Sequence, residues 1–295
     1  NGGYDYDTNY RSMYFTITSV NDAPVGTPKA VTILEDSSYT FAAADFGFSD
    51  PNDSPANTLA AVVISSTPAA GTLSLNGTPL SAGAVVLVAD IAAGKLKFAP
   101  AANANGPIAF TFQVRDNGGT ANGGLDTDTT PRAFTFNVTP VNDPPLGTAR
   151  TVPILEDRPY TFSVADCGFS APNDATSPNN LASVLIANLS TAPGLTYNGA
   201  APAERTSIPV ADIAAGKLVY TPPANAYGTN YAKFSFLVRD DGGTANGGYD
   251  YDTNYRSMYF TITPVNDPPV GTPKAVAIAQ NSTYTFAAAD FGFSD

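Results

Sequence analysis

The sequence predicts an all-β protein in which β-sandwich domains follow one another in tandem. The tripeptide Val-Asn-Asp, followed by Ala-Pro or Pro-Pro, occurs three times, at residues 20–24, 141–145 and 265–269. Spacings of 121 and 124 residues identify a long-period repeat. Between these motifs, short stretches that alternate apolar and polar residues are separated by clusters of Gly, Pro, Asn and Asp, which is the pattern of sandwich strands and turns.

The repeats themselves are copied in pairs. Residues 1–18 reappear unchanged as residues 246–263, and only seven of the 50 pairs that join residues 1–50 with 246–295 differ. We therefore expect a two-repeat unit of 245 residues within a longer protein. The predicted domains are repeat 1 (20–140) and repeat 2 (141–264), each long enough to bury its own core. Residues 1–19 then belong to a preceding repeat, and residues 265–295 begin a following one.

Alternating residues predict seven strands in repeat 1. In the clearest pair, Phe110, Phe112 and Val114 alternate with polar residues opposite a similar stretch around Phe134 and Phe136. One face of such a pair is core and the other faces water. Seven short strands with turn residues between them predict an immunoglobulin-like sandwich, and the Val-Asn-Asp motifs are very short linkers. The strands are expected near residues 30–34, 39–44, 59–65, 71–75, 95–98, 109–115 and 132–139.

One segment of each repeat is predicted to form a helical turn. The sequence Val-Ala-Asp-Ile-Ala-Ala-Gly occupies residues 88–94 and again residues 210–216. We expect Asp90 and Asp212 to be the N-caps, with Gly94 and Gly216 as the C-terminal stops.

Composition excludes several functional classes. The chain carries 26 acidic and 14 basic residues, a net charge of −12, which argues against nucleic acid and anionic membranes as principal partners. It has no histidine, so Ser-His-Asp triads and histidine zinc sites are excluded. The sequence contains no run of about 18 apolar residues, so no membrane-spanning segment is predicted. The single cysteine, Cys167, stands where the other copies have Phe46 and Phe291, and we expect it to be buried.

A long loop joins the last two strands of each repeat, at residues 116–131 and 240–255. Loops of this kind carry function more often than strands do. In alternate repeats the loop is rich in tyrosine, and exposed tyrosines favour interfaces. We expect contact with a neighbouring fibre or a carbohydrate; the alternative is a loop that folds back on its own sandwich. The predicted contact residues are Tyr4, Tyr6, Tyr10, Tyr249, Tyr251 and Tyr255.

Carboxylate and amide side chains recur in three clusters along each repeat. They lie in the linker (Asn21-Asp22), before the second strand (Glu35-Asp36), and in the turn after it (Asp50-Pro-Asn-Asp), with Asp116 opening the long loop. Oxygen donors of this kind are the ligands that Ca²⁺ prefers. The clusters therefore predict calcium at domain junctions. Ordinary turn chemistry is the alternative, because Asx side chains bond their own backbone and proline presets the turn.

The order of these motifs resembles the cadherin-like tandem repeats of very large bacterial surface proteins and adhesins, over essentially the whole chain. Cadherins bind Ca²⁺ between successive domains, and the resemblance implies three sets of ligands. Before repeat 1 they are Asn21, Asp22, Asp50, Asp53 and Asp116; between the repeats, Glu35, Asn142, Asp143, Asn173, Asp174 and Asp240; after repeat 2, Glu156, Asn266, Asp267 and Asp295.

Several positions depart from this pattern. Ala171 replaces the first aspartate of the turn in repeat 2, and Gln280-Asn281 replaces the acidic pair before the second strand. Since each change removes a carboxylate, we expect some junctions to be free of metal.

Repetition without catalytic motifs predicts a non-enzymatic structural array. The expected function is an extracellular stalk or fibre of a large bacterial surface protein, partnered by neighbouring repeats of its own chain and by lateral copies or cell-surface glycans. The alternative is a carbohydrate-binding, lectin-like module. Paired carboxylates such as Asp250 and Asp252 would suit glycoside hydrolysis, but an acidic loop copied along an array is more simply explained by solvation or metal binding.

Overall fold

The computed structural model describes residues 1–7, 9–174 and 178–295. The chain divides into two compact units, unit 1 (Asn1–Val141) and unit 2 (Asn142–Asp295). The division falls inside the second Val-Asn-Asp motif. Both units are built from β-sheets, so the all-β class predicted from the sequence is confirmed.

Unit 1 is a sandwich of two sheets. A five-stranded sheet has the order β1-β9-β8-β3-β6, and a four-stranded sheet has the order β2-β7-β4-β5. The strands of its described residues are β1 (Lys29–Leu34), β2 (Tyr39–Thr40), β3 (Leu59–Ser66), β4 (Gly71–Leu75), β5 (Thr78–Pro79), β6 (Val85–Leu87), β7 (Leu96–Pro100), β8 (Gly106–Asp116) and β9 (Arg132–Thr139).

Unit 2 repeats this plan. Its five-stranded sheet has the order β10-β17-β16-β12-β14, and a three-stranded sheet has the order β11-β15-β13. The strands of its described residues are β10 (Arg150–Leu155), β11 (Tyr160–Thr161), β12 (Leu181–Thr191), β13 (Leu195–Tyr197), β14 (Ser207–Pro209), β15 (Leu218–Tyr220), β16 (Gly228–Asp240) and β17 (Arg256–Thr263).

The first and last strands of each unit are parallel neighbours. Strand β1 pairs with β9 from Lys29 opposite Phe134 to Leu34 opposite Thr139. Strands β10 and β17 pair in the same way over six residues. All other named pairs in the two larger sheets are antiparallel, including the predicted pair β8–β9.

The second predicted strand is correct only at its beginning. After Thr40 the chain turns into a 3₁₀ helix, Ala43–Phe46, where the sequence had predicted a strand to residue 44. The reason is Asp45, whose Oδ2 accepts the N–H of Ala42 at 2.8 Å and so closes a turn. Matching 3₁₀ helices are Val164–Cys167 and Ala288–Phe291, and two more, Ala121–Gly123 and Ala245–Gly247, lie in the long loops.

The helical turns form where they were expected and are followed by Gly94 and Gly216 in the left-handed conformation, as predicted for the C-terminal stops, but the predicted N-caps are wrong. Helix α1 is Val88–Ala92 and helix α2 is Val210–Ala214; their N-caps are Leu87 and Pro209, neither with a side-chain cap. Asp90 lies inside the first turn and pairs with Lys95 at 2.8 Å. Asp212 likewise pairs with Lys217 and accepts from the Tyr197 hydroxyl.

Aromatic rings join the two sheets of each unit. In unit 1, Phe98 from the smaller sheet stacks on Phe136 from the larger one, with centroids 4.0 Å apart. In unit 2, Tyr220 stacks on Phe260 at 3.9 Å. Cys167 is buried in the core of unit 2, as predicted, and burial raises the pKa of its thiol to about 12. Each unit therefore has its own hydrophobic core.

Apolar side chains in residues 1–19 and 265–295 are more exposed than the same residues in the other copies of the repeat. Met13, Phe15 and Ile17 are each at least 80% exposed, although the same sequence forms β17 in unit 2. The side chains of Phe286 and Phe291 are also exposed.

Candidate functional site

The asparagine of each Val-Asn-Asp motif ties the linker to the long loop. In unit 1 the Nδ2 of Asn21 donates to Asp116 Oδ1 at 3.1 Å and to the carbonyl of Leu125 at 2.8 Å. The N–H of Leu125 donates back to the carbonyl of Asn21 at 2.9 Å. Asn57 donates its amide to Asn21 Oδ1. The side chain predicted to be a metal ligand is thus the centre of a hydrogen-bonded clamp.

Asn142 forms the same clamp in unit 2. Its Nδ2 donates to Asp240 Oδ1 at 3.0 Å and to the carbonyl of Tyr249 at 2.7 Å, and its Oδ1 accepts from Asn179. The clamp tolerates no side chain at the start of the loop, because a Cβ on Gly242 would lie 2.0 Å from Asn142 Oδ1. Asn57 and Asn179 were not predicted, since single asparagines in loops carry no motif.

Beside the clamp in unit 1 lie the predicted acidic ligands. Asp50 is buried; one of its oxygens accepts the N–H of Asn57 at 2.5 Å, whereas Oδ1 has no hydrogen-bond partner. Burial raises the pKa of Asp116, and the charge of Asp50 adds to that rise. Asp53 accepts the N–H of Asp22 at 3.0 Å. The structure therefore brings Asn21, Asp22, Asp50, Asp53 and Asp116 to one end of unit 1.

The corresponding end of unit 2 has one carboxylate fewer because residue 171 is alanine. Asp174 Oδ1 accepts the N–H of Asp143 at 3.1 Å, and its Oδ2 is buried without a partner. Asp240 Oδ2 is buried without a partner too, and burial raises the pKa of Asp240, helped by the charge of Asp174. Asn173 is exposed to solvent.

Glu35 and Glu156, which precede the second strand of each repeat, are buried. Each lies near the end of the last strand of its repeat. Glu35 Oε1 accepts the N–H of Val141 at 2.6 Å, while Oε2 has no hydrogen-bond partner. An open cavity of about 370 Å³, lined by Glu35, Asp36 and neighbouring serine, alanine and proline side chains, adjoins this carboxylate. Glu156 accepts the N–H of Val265 in the same way. The later residues Asn266, Asp267 and Asp295 are exposed.

The chemistry of these groups fits a hard cation, although no complete metal cluster is preformed. Within the described residues, no three acidic side chains lie close enough together to hold a metal ion. Among the described residues, four buried acidic side chains nevertheless have a carboxylate oxygen without a hydrogen-bond partner. Because an unsatisfied buried oxygen is costly, each is a position that a cation or an ordered water would stabilise. They belong to Glu35, Asp50, Asp174 and Asp240.

The aspartates inside the long loop are satisfied by arginine instead. Asp252 accepts from Arg256 Nε at 2.7 Å and from the N–H of Gly147 at 2.8 Å. Asp250 pairs with Arg239 at 2.8 Å. Unit 1 has the same arrangement, with Asp128 on Arg132 and Asp126 on Arg115. The carboxylates considered for glycoside hydrolysis are therefore held in ion pairs.

The tyrosines of the loop divide between solvent and the sheet. Tyr249 and Tyr255 are 65% and 60% exposed. Tyr251 is only partly exposed, and its ring lies 5.4 Å from the guanidinium of Arg239. In the leading segment, Tyr4, Tyr6 and Tyr10 are all exposed. Tyr251 therefore packs back on its own sandwich. Contact of the remaining tyrosines with a partner stays a prediction.

A comparison with protein families finds one similarity, over part of the first repeat. The family model described as bacterial Ig domain matches residues 21–129. No curated protein matches the chain significantly. Among the described residues, no helix is long and apolar enough to cross a membrane.

Several solved structures resemble the chain at low identity. Human mucin-like protocadherin EC1-2 is 12% identical, with 83% of this chain and 100% of that chain covered and a TM-score of 0.42. Mouse cadherin-23 EC22-24 is 13% identical over 84% of this chain and 69% of that one, with a TM-score of 0.44. An endo-fucoidan hydrolase of glycoside hydrolase family 107 is 14% identical over 83% and 29%, with a TM-score of 0.26.

Proposed function

We propose that this chain, whose residues 21–129 match the bacterial Ig domain family, is a non-catalytic part of an extracellular stalk or fibre. In this proposal it belongs to a large bacterial surface protein, and Ca²⁺ at the ends of some repeats stiffens it. The observation that carries the proposal is the recurrence of buried carboxylate oxygens without hydrogen-bond partners at the ends of both sandwiches.

These carboxylates are costly as they stand. A buried polar atom that loses its water without gaining a partner destabilises the fold by about 1–3 kcal/mol, and a charged one by more. Both Asp116 and Asp240 have a raised pKa, with burial as the main cause, so ionisation at neutral pH works against folding. A folded domain that retains such groups gains from a bound cation.

The ligands proposed for Ca²⁺ are the oxygens already gathered at these ends. In repeat 1 they are Asp50, Asp53 and Asp116 at one end and Glu35 at the other. In repeat 2, Asp174 and Asp240 remain, with Ala171 in place of one carboxylate. When bound, Ca²⁺ supplies the positive charge that neither clamp provides. Because Ala171 removes a ligand, we propose weaker binding by repeat 2 than by repeat 1.

The proposed lack of catalysis is supported by the partners of the polar side chains. Histidine does not occur, and Asp250 and Asp252 are engaged by Arg239 and Arg256. Asn21 and Asn142 at the unit ends are engaged in the hydrogen-bonded clamps. A stalk needs reach and stiffness rather than a reactive group.

The array itself defines the proposed partners. Residues 20–140 and 141–264 are proposed as two consecutive repeats, with residues 1–19 and 265–295 as parts of their neighbours. Adjacent repeats of the same chain are then the first partners, and lateral copies in a fibre are the second. Copying one sandwich many times extends reach without new chemistry. We propose that the protein acts at the cell surface or outside the cell.

Thermal unfolding with and without calcium tests the proposal. We expect Ca²⁺ to raise the melting temperature, because a ligand that binds only the folded state at 100 times its Kd adds about 2.7 kcal/mol. The chelated protein should melt at the lower temperature, and Mg²⁺ should have a smaller effect. An unchanged melting temperature in millimolar calcium would overturn the calcium proposal.

Two variants make the test specific. Asp50→Ala gives repeat 1 the residue that repeat 2 has at position 171, and it should reduce the calcium effect on unit 1. The matched control is Asp90→Asn, because Asp90 lies on α1 and pairs with Lys95, away from the acidic ends. A control variant that lost as much calcium response as Asp50→Ala would also contradict the assignment.

A further inference from the structure

The outward face of the larger sheet in unit 2 carries four tyrosines in a row. Tyr231 on β16, Tyr259 on β17, and Tyr255 and Tyr251 in the adjoining loop define this tyrosine row. Tyr259 lies opposite Lys233, next to buried Phe260 opposite Ala232, so alternation turns Tyr259 outward. Tyr231 is exposed at the irregular start of β16, where the ladder is interrupted between Gly228 and Ala232. Tyr251 bridges to Arg239 further along the same face.

Unit 1 has the same sheet without the tyrosines. The pair that corresponds to Tyr259 and Lys233 is Thr135 and Ala109, and the bridge that corresponds to Tyr251 and Arg239 joins Thr127 to Arg115. Position 131, which corresponds to Tyr255, is proline. The inward-facing residues of the two sheets are apolar in both units; Phe136, for example, matches Phe260 in position and burial. The two sandwiches therefore share a core and differ on one exposed face.

The dimensions of the row suit a linear ligand rather than a globular partner. The row is two strands wide, about 10 Å, and the eight steps from Tyr231 to Arg239 extend it to about 27 Å. This strip is well below the roughly 800 Å² that each partner buries in a stable protein interface.

A peptide strand is also a poor occupant. Strands β16 and β17 lie inside the sheet, flanked by β12 and β10, so their backbone groups are already paired. An added peptide would find no free ladder edge and would leave its own backbone groups unsatisfied.

The side chains along the row match the surface of a sugar. Tyrosine rings offer an apolar plane to the C–H face of a pyranose, and their hydroxyls offer hydrogen bonds at the rim. Ser235 and Ser257 lie opposite each other between the tyrosines and add two more hydroxyls. The row itself carries Lys233 opposite Tyr259 and Arg239 opposite Tyr251, and Arg239 is paired with Asp250. The net charge of −12 for the whole chain favours a neutral ligand over a polyanion. We propose that the tyrosine row of repeat 2 binds a neutral linear polysaccharide, a function beyond that of a stalk.

Titration with neutral hexasaccharides tests this site. Cellohexaose, xylohexaose and mannohexaose are the probes, with hexagalacturonate as the acidic comparison, followed by calorimetry and by NMR of the tyrosine rings. We expect at least one neutral probe to bind and Tyr259→Thr, which installs the residue of repeat 1, to weaken it tenfold or more. Urea unfolding of the variant should be unchanged, since Tyr259 is on the surface side of the sheet.

The chain provides its own matched control. Tyr14 is the sequence copy of Tyr259 and is 89% exposed, but it lies outside any described sheet. Tyr14→Thr should leave binding unchanged. The proposal is overturned if no neutral hexasaccharide binds, if the acidic probe binds more tightly, or if both variants weaken binding equally. It is also overturned if the chain self-associates and Tyr259→Thr abolishes that association, because the row is then a protein interface.

Discussion

Each repeat contains two kinds of buried aspartate, one inside the long loop and one at its start. Asp252 and Asp240 in unit 2 are equally inaccessible, at 2% and 1% exposure. Burial alone would raise the pKa of Asp252, but hydrogen bonds from Arg256 and from the N–H of Gly147 outweigh it and lower the pKa. For Asp240, burial raises the pKa, and the amide donors do not compensate.

The difference lies in the partners rather than in the burial. Arg256, four residues along the chain, supplies a full charge to Asp252. Asp240 receives only neutral donors from Asn142 and Gly242, and it faces the charge of Asp174. Unit 1 repeats the contrast with Asp128 and Asp116. A carboxylate that the protein itself satisfies is structural, whereas one that it leaves unsatisfied is a candidate ligand.

The largest loss of folding stability is expected from replacing Asp252, the aspartate whose carboxylate is fully hydrogen-bonded. Asp252→Ala removes the acceptor of an arginine and two backbone N–H groups, and should destabilise unit 2 by about 3 kcal/mol. Urea unfolding, with hydrogen exchange to locate the loss in unit 2, measures this cost. Asp250→Ala is the control, because Arg239 is 44% exposed and the pair should contribute only about 1 kcal/mol or less. Equal costs for the two variants would remove the distinction.

A smaller change in stability, with a characteristic pH dependence, is expected from replacing Asp240, which has a carboxylate oxygen without a partner. Because the pKa of Asp240 is raised in the folded state, its contribution to stability is present below the ordinary aspartate pKa and is lost as pH rises through the folded value. In calcium-free buffer, wild type should therefore lose stability relative to Asp240→Asn as the pH rises above the ordinary aspartate pKa of about 4. Calcium should reverse that loss at pH 7. Parallel pH profiles for the two proteins would show that Asp240 has an ordinary pKa.

The smallest effect concerns a buried polar atom of another kind. The hydroxyl of Tyr220 is buried without a hydrogen-bond partner, and burial raises its pKa to about 12. Unit 1 has Phe98 at this position, stacked in the same way. Tyr220→Phe should therefore be neutral or stabilising by about 1 kcal/mol, and Phe98→Tyr should destabilise unit 1. A clear loss of stability in Tyr220→Phe, measured by thermal unfolding, would reveal a partner for the hydroxyl.

Much of the fold was predictable because its signals are local. Alternation gave strands such as β3, β4, β8 and β9 nearly to their ends, and the helical turns formed at the predicted positions. The errors arose where one polar side chain outweighed a pattern. The Asp45 carboxylate accepts the N–H of Ala42, so a 3₁₀ helix forms where a strand was predicted. Asp90 forms an ion pair with Lys95 instead of capping α1. The two-residue strand β5 is too short for periodicity to indicate it.

The site was predictable only as a set of residues. Recurring clusters indicated which aspartates and asparagines to consider. The structure places Asp116 beside Asn21 and the charge of Asp50 near Asp116, while their binding of metal stays a prediction. The clamp could not be foreseen, because Asn21 and Asn142 bond groups about 100 residues away. The arginine pairs had a local signal, since Asp252 and Arg256 are four residues apart, but within a loop that spacing has no fixed geometry.

The parallel pairing of first and last strands has a consequence for mechanical load. Tension applied at the two ends of a repeat pulls β1 toward its N-terminus and β9 toward its C-terminus, in opposite directions along a shared ladder. The hydrogen bonds of six residue pairs then resist sliding together instead of opening one at a time. The N–H of Glu35 bonded to Thr139, and that of Val141 bonded to the Glu35 carboxylate, extend this ladder toward the linker. In this topology, tension between the two ends loads the first and last strands in shear rather than peeling them apart.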